Sequence, residues 1–171
     1  KKNRVAAARA KQHFDVMEKL AGYGFNKSHA AAYALVAYQT AYMKAHHPAA
    51  FMAANLSAVM DDTDKVRAFF EDSRDNGLVI LPPDINQCEY RFAPVDSRTI
   101  RYGLGAIKGT GESAIENVIA ARASGGAFAG LFDFCRRVDR RIVNRRAIES
   151  LIRAGAFDAI EPRRSALLAT V

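Results

Sequence analysis

The chain has 171 residues, half of them apolar and a quarter charged, with a formal net charge of +7. That length can bury a core in one domain or two small ones, and the composition excludes a disordered or fibrous polypeptide. No uninterrupted apolar run reaches the roughly 18 residues of a membrane-spanning helix, and Lys1-Lys2-Asn3-Arg4 leads into no secretory segment.

In chain order, residues 4–21 predict a first helix, with Phe14, Met17 and Leu20 at helical spacing and Gly22-Tyr23-Gly24 as its stop. A second is predicted over 28–46, with Ser28 as N-cap and Leu35, Val36, Tyr42 and Met43 as an apolar face. Pro48 suits the first turn of a third helix reaching Met60. A fourth follows Asp61-Asp62-Thr63-Asp64, carries Val66, Phe69 and Phe70, and closes at Asn76-Gly77.

Val79-Ile80-Leu81 then predicts a short strand ended by Pro82-Pro83. Tyr90-Arg91-Phe92 and residues 99–104 alternate as strands do, with a turn over 94–97. Helices return from Gly105, over 111–123, 130–137, 142–153 and 162–170. The expected fold is mainly α: a helical segment (1–78), a small β connector (79–105) and a compact helical domain (106–171).

Cys88 and Cys135 stand far apart, with no CxxC and no His pair at ligand spacing, which fits two thiols in a reducing cytosol. A cytoplasmic location is the expectation, and without an initiating Met the chain is expected to begin inside a larger protein.

The sharpest local signal is Ile107-Lys108-Gly109-Thr110-Gly111-Glu112-Ser113, followed by Ile115, Val118 and Ile119. A Gly-x-Gly turn opening an amphipathic helix leaves backbone amides unpaired where the helix dipole is positive, and a phosphate fits there without any base being read. Lys108 adds a mobile charge. The turn resembles the hairpin of the helix-hairpin-helix family, whose members usually carry proline where Lys108 stands. A plain helix-to-helix turn also accounts for the two glycines, and the setting favours DNA.

That setting is a second unit, Arg140-Arg141-Ile142-Val143-Asn144-Arg145-Arg146, ahead of Ile148, Leu151 and Ile152 on one helical face. Its hairpin has no glycines. Asn144 is expected to stand in through a positive φ, and the arginines to reach phosphates by side chain, although a solvated basic face is the plainer alternative. Such motifs often come in pairs that grip both strands of a duplex.

At the mouth of the second helix, Asn26, Lys27, Ser28 and His29 offer several donors beside a helix N-terminus, an arrangement suited to a triphosphate. A cap and a solvated first-turn residue explain Ser28 and His29 equally well. Gly22 to Ala34, Tyr38-Gln39-Thr40, Met60 to Val66, Leu81 to Asn86, Tyr102 to Gly109, Leu131 to Cys135 and Gly155 to Asp158 together resemble the alpha-subunit family of bacterial DNA polymerase III, the C-family replicative polymerases. The likeness runs in order along nearly the whole chain.

The resemblance implies a helical fingers segment in which Asn26, Lys27, Ser28 and His29 meet the incoming deoxynucleoside triphosphate. It also implies a tandem helix-hairpin-helix domain holding primer-template duplex DNA. The residues for that role are Ile107, Lys108, Gly109, Thr110, Gly111, Ser113, Arg140, Arg141, Asn144 and Arg145. The catalytic palm lies outside the match, so the segment alone is expected to be inactive in nucleotidyl transfer, with no catalytic or metal-binding residue of its own. Magnesium would be held by palm residues, and the sliding clamp and other replisome subunits would be partners of the whole polymerase. A free-standing DNA-binding module of a repair or recombination protein is the alternative, and an adaptor for an acidic protein a third.

Asp62-Thr63-Asp64 imitates the Asp-x-Asp of a polymerase palm. A palm places that pair on a strand, whereas here the run precedes a helix and is expected to cap it.

Overall fold

Ala49, Met52, Ala53 and Leu56 recur three and four residues apart, and in this computed structural model all four lie on the buried face of one helix. The structure describes residues 6–23 and 27–171. Helices α1 (Ala7–Tyr23), α2 (Lys27–His46), α3 (Pro48–Ala58) and α4 (Thr63–Asp75) come first, then strands β1 (Val79–Leu81), β2 (Ala93–Pro94) and β3 (Thr99–Arg101). One 3-10 turn, Leu104–Ala106, leads to α5 (Glu112–Gly125), α6 (Leu131–Arg137), α7 (Arg145–Ala154) and α8 (Arg164–Thr170). The protein is mainly helical with one small sheet, as its sequence implies.

Packing divides the chain into two units, Lys1–Tyr42 and Met43–Val171. In the first, α1 runs on through Gly22 and Tyr23, and Gly24 and Asn26 lie outside the described residues. Ser28 sits inside the first turn of α2, which begins at Lys27, so it is not the cap. Phe14 and Met17 on α1, and Tyr33, Leu35, Val36 and Tyr38 on α2, are all exposed. The apolar face expected of α2 is therefore uncovered here.

The second unit has two apolar clusters. In one, α3 packs on the sheet, burying Leu78, Phe92 and Ile100 beside its own four residues. Helices α3 and α4 thus share a core with the strands. Pro48 occupies the first turn of α3, and Asp62 caps α4 by accepting the Lys65 N–H at 3.1 Å. The Lys65 ammonium, 3.0 Å away, and the Lys65 amide hold the Asp62 carboxyl below its ordinary range.

The sheet order is β1-β3-β2. β1 runs parallel to β3 (Ile80 opposite Ile100), and β2 runs antiparallel to it (Pro94 opposite Ile100). Pro94, which the sequence placed in a turn, lies on an edge strand, where a missing N–H is tolerated. Tyr90-Arg91-Phe92 forms no strand. The Glu89 and Tyr90 carbonyls accept instead the amides of Leu104 and Gly105, each at 2.9 Å, and Phe92 turns into the core.

The other cluster gathers Ile85, Leu104, Ile115, Val118, Phe134, Val143, Leu151, Ile152 and Phe157 from α5, α6, α7 and the connector. The connector is fastened to it. Asn86 donates to the Phe128 carbonyl (3.0 Å) and accepts the Phe128 amide (2.7 Å), as a strand backbone would, and Ile85 donates to the Ala156 carbonyl at 2.8 Å. Arg137 closes the loop between α5 and α6, donating to the carbonyls of Ala121 and Gly126 with its guanidinium 4.4 Å from the Phe128 ring centroid.

Candidate nucleic-acid interface

The Gly-x-Gly segment folds as a tight turn on the rim of the second cluster. The Ile107 carbonyl accepts both the amide (3.4 Å) and the hydroxyl (2.8 Å) of Thr110. Gly109 has φ +95, the left-handed value a type II turn requires at its third position. Lys108 therefore occupies the second position, where proline is otherwise favoured. Gly111, at φ 77 and ψ 149, then sets the direction of α5 without any side-chain cap.

Lys108, Gly109, Gly111, Glu112 and Ser113 are exposed. Among the described residues, their five amides meet no acceptor. They crowd at the positive end of α5, the arrangement that stabilises an anion. Ile107 and Thr110 differ: both side chains are buried, so they shape the turn and present no donor of their own.

The second hairpin, ahead of α7, corrects the sequence reading in two ways. Asn144 has φ −74, not a positive value, and its side chain accepts the Ala147 amide at 3.0 Å as the N-cap of α7. The hairpin needs no glycine because it turns through Asp139, whose carbonyl accepts the amides of Ile142 and Val143 and whose carboxylate accepts that of Arg141. Two of the three arginines chosen from the sequence are also paired within the protein. Arg141 grips Asp139 through Nε (3.1 Å) and Nη2 (2.8 Å), and Arg145 meets Glu149 at 2.8 Å. These hydrogen bonds hold the Asp139 carboxyl at about 2 and lower that of Glu149.

Arg140 and Arg146 are exposed and have no carboxylate partner among the described residues. Arg146 belongs to the same basic run but was not among the residues named individually for DNA contact. A Cβ built on Gly109 would lie 3.6 Å from Arg146 Nε and 2.9 Å from Ser150 Oγ, so α7 flanks the first hairpin. Helical spacing pointed there: Ala147, Ile148, Leu151 and Ile152 face inward, which turns Arg146 and Ser150 to the rim. Lys108, Gly109, Gly111 and Glu112 of the same turn also line a cleft of about 390 Å³ that includes Asp61, and the two carboxylates disfavour a phosphate within it.

In the first unit, the His29 ring packs on Tyr33 with centroids 4.2 Å apart. Lys27 opens α2, and Asn26 lies outside the described residues. Among the described residues no three His, Cys, Asp or Glu side chains converge to hold a metal ion. Asp62 is committed to its cap, and Asp64 lies in the first turn of α4, so the acidic run is a helix start and does not suit a pair of magnesium ions. Burial pushes the Cys88 thiol up, and the Cys135 thiol likewise, which disfavours their thiolates.

Two adjacent helical hairpins, one with open amides at a helix start and the other with arginines, define a helix-hairpin-helix protein. The chain belongs to that family, whose model, described as "Helix-hairpin-helix motif", matches residues 77–167. Over 99% of its length it is 58% identical to DNA polymerase III subunit alpha of Neisseria meningitidis serogroup B, and 54% identical to that of Vibrio cholerae serotype O1. Over 98% of its length it is 54% identical to the Escherichia coli K12 protein of the same name. The chain spans 15%, 15% and 14% of the length of these three relatives.

Proposed function

We propose that this chain is the part of a DNA polymerase III alpha subunit that holds primer-template duplex DNA by its backbone. The observation that carries this reading is the group of amides at Lys108, Gly109, Gly111, Glu112 and Ser113, unpaired among the described residues and flanked by Arg146, on an exposed turn of a helix-hairpin-helix domain. Amides and guanidinium groups recognise phosphates without reading bases, so binding is indifferent to sequence. The uncovered apolar faces of α1 and α2 fit helices that pack on further polypeptide.

In the same reading, Asn26, Lys27, Ser28 and His29 help to place the incoming deoxynucleoside triphosphate. Magnesium and the catalytic carboxylates belong to parts of the polymerase outside this chain, as do its contacts with the sliding clamp and other replisome subunits. The whole protein works in the cytoplasm, and the segment by itself transfers no nucleotide.

A salt titration of duplex binding tests the DNA role. Three uncompensated cations, Lys108, Arg140 and Arg146, give an expected slope of log K against log salt of about −3. A slope near zero, or equal affinity for a neutral polymer, refutes it. Replacing both Lys27 and His29 by alanine in the whole polymerase tests the nucleotide role, with a raised KM for deoxynucleotides expected and an unchanged KM counting against it.

A further inference from the structure

Both flanks of the exposed hairpin meet at one side chain. Arg122 lies ten residues into α5, about 15 Å along the helix from its start, and is only 13% exposed. It donates to the carbonyls of Ile85 (3.1 Å) and Cys88 (2.8 Å) and to the Glu89 carboxylate. Glu89 is the residue whose carbonyl accepts the Leu104 amide, and the next carbonyl, that of Tyr90, accepts the Gly105 amide. The Leu104 carbonyl accepts the Ile107 amide, and the Ile107 carbonyl accepts that of Thr110.

A continuous run of hydrogen bonds therefore leads from a guanidinium on the helix that follows the hairpin to the strand of chain that precedes it. Close packing fixes the same path. A Cβ on Gly105 would fall 2.5 Å from the Tyr90 ring, and one on Gly103 would fall 2.6 Å from the Phe92 amide nitrogen, so the chain has no room to slide past residues 90–92.

We infer that Arg122 is a positioning residue for DNA binding: it straps residues 85–89 to α5 and thereby sets where the amides of Lys108 to Ser113 point. This rests on the reading of the hairpin as a phosphate clasp. Arg122 itself does not touch DNA. It acts through the geometry of its fork, which makes three bonds at once, and a lysine cannot reproduce that pattern although it keeps the charge.

Arg122→Lys in the full chain tests this. Duplex affinity is expected to fall about tenfold, the scale of losing one hydrogen bond to a charged group, at an unchanged salt slope. The amides of Leu104, Gly105 and Ile107 should exchange with solvent at least about tenfold faster, while those of Leu151 and Ile152 in α7 stay protected. The milder Glu89→Gln, which keeps an acceptor, should weaken binding by a smaller factor in the same direction.

Equal affinity for wild type and Arg122→Lys, in a chain that does bind duplex, overturns the inference. So does loss of α7 protection together with binding, which would mark general unfolding. A wild-type chain that binds no duplex refutes the phosphate-clasp reading itself, which keeps the two failures apart.

Discussion

Gly111→Ala perturbs the hairpin with little else attached. At φ 77 and ψ 149 the backbone occupies a region that only glycine enters freely, and holding another residue there costs about 1–3 kcal/mol. A Cβ at this position meets nothing within 4 Å, so none of that cost arises from collision with the rest of the fold. The strain has two outlets. If the turn keeps its shape, folding stability falls by the full amount. If the turn relaxes, the amides at the start of α5 swing away and the cost appears in DNA affinity as a rise in Kd of about fivefold to about 140-fold.

Fluorescence anisotropy on a labelled duplex at fixed salt gives the affinity, and urea unfolding of the same variant gives the stability. The two losses should together fall in the 1–3 kcal/mol range. Gly109→Ala differs, because its Cβ also meets Ser150 Oγ at 2.9 Å, and Ser150→Ala should relieve part of its loss. Gly111→Ala with unchanged affinity and unchanged stability refutes the reasoning. Loss of stability alone, with affinity intact at full occupancy of the fold, shows that the turn keeps its shape and bears the strain itself.

Three further outcomes are expected. Arg146→Ala should reduce the salt slope by about 0.9, the contribution of one phosphate contact, whereas Arg141→Ala, already neutralised by Asp139, should leave it unchanged in the same titration. Asn144→Ala should cost about 0.5–2 kcal/mol of stability and Asn144→Gly only a few tenths; denaturant unfolding reads both, and a gain from glycine would contradict the φ of −74. The Asp139 carboxyl, held at about 2 chiefly by its hydrogen bond from Arg141, is depressed below its unfolded value of about 3.9. Its stabilisation is therefore complete above about pH 4 and is lost as pH falls through about 2. The Arg141 amide resonance should hold steady from pH 7 to 5 and move only in that acid window, and Asp139→Asn should abolish the movement.

Much of this protein was legible because periodicity and punctuation agree. Pro48 and Asp62 mark the starts of α3 and α4, and the spacing of Ile148, Leu151 and Ile152 marks the buried face of α7. What escaped was pairing. Arg145 and Glu149 stand four apart on α7 and Asp139 two residues before Arg141, spacings that permit the ion pairs which neutralise those two arginines and leave Arg146 to the rim. Asn144 was misjudged for a related reason: asparagine serves both positive-φ turns and helix caps, and only the neighbouring Asp139 turn decides between them. Residues 90–92 alternate like a strand, yet the Glu89 and Tyr90 carbonyls are taken by Leu104 and Gly105, partners more than ten residues away.

Tyr102 packs against both apolar clusters of the second unit, and its ring centroid lies 4.8 Å from that of Phe92. A shared side chain of this kind leaves no clean plane along which the sheet region and the hairpin region can part. Melting either one strips cover from the other, so Met43–Val171 should behave as one thermodynamic body and give a single calorimetric peak whose van't Hoff and measured enthalpies coincide.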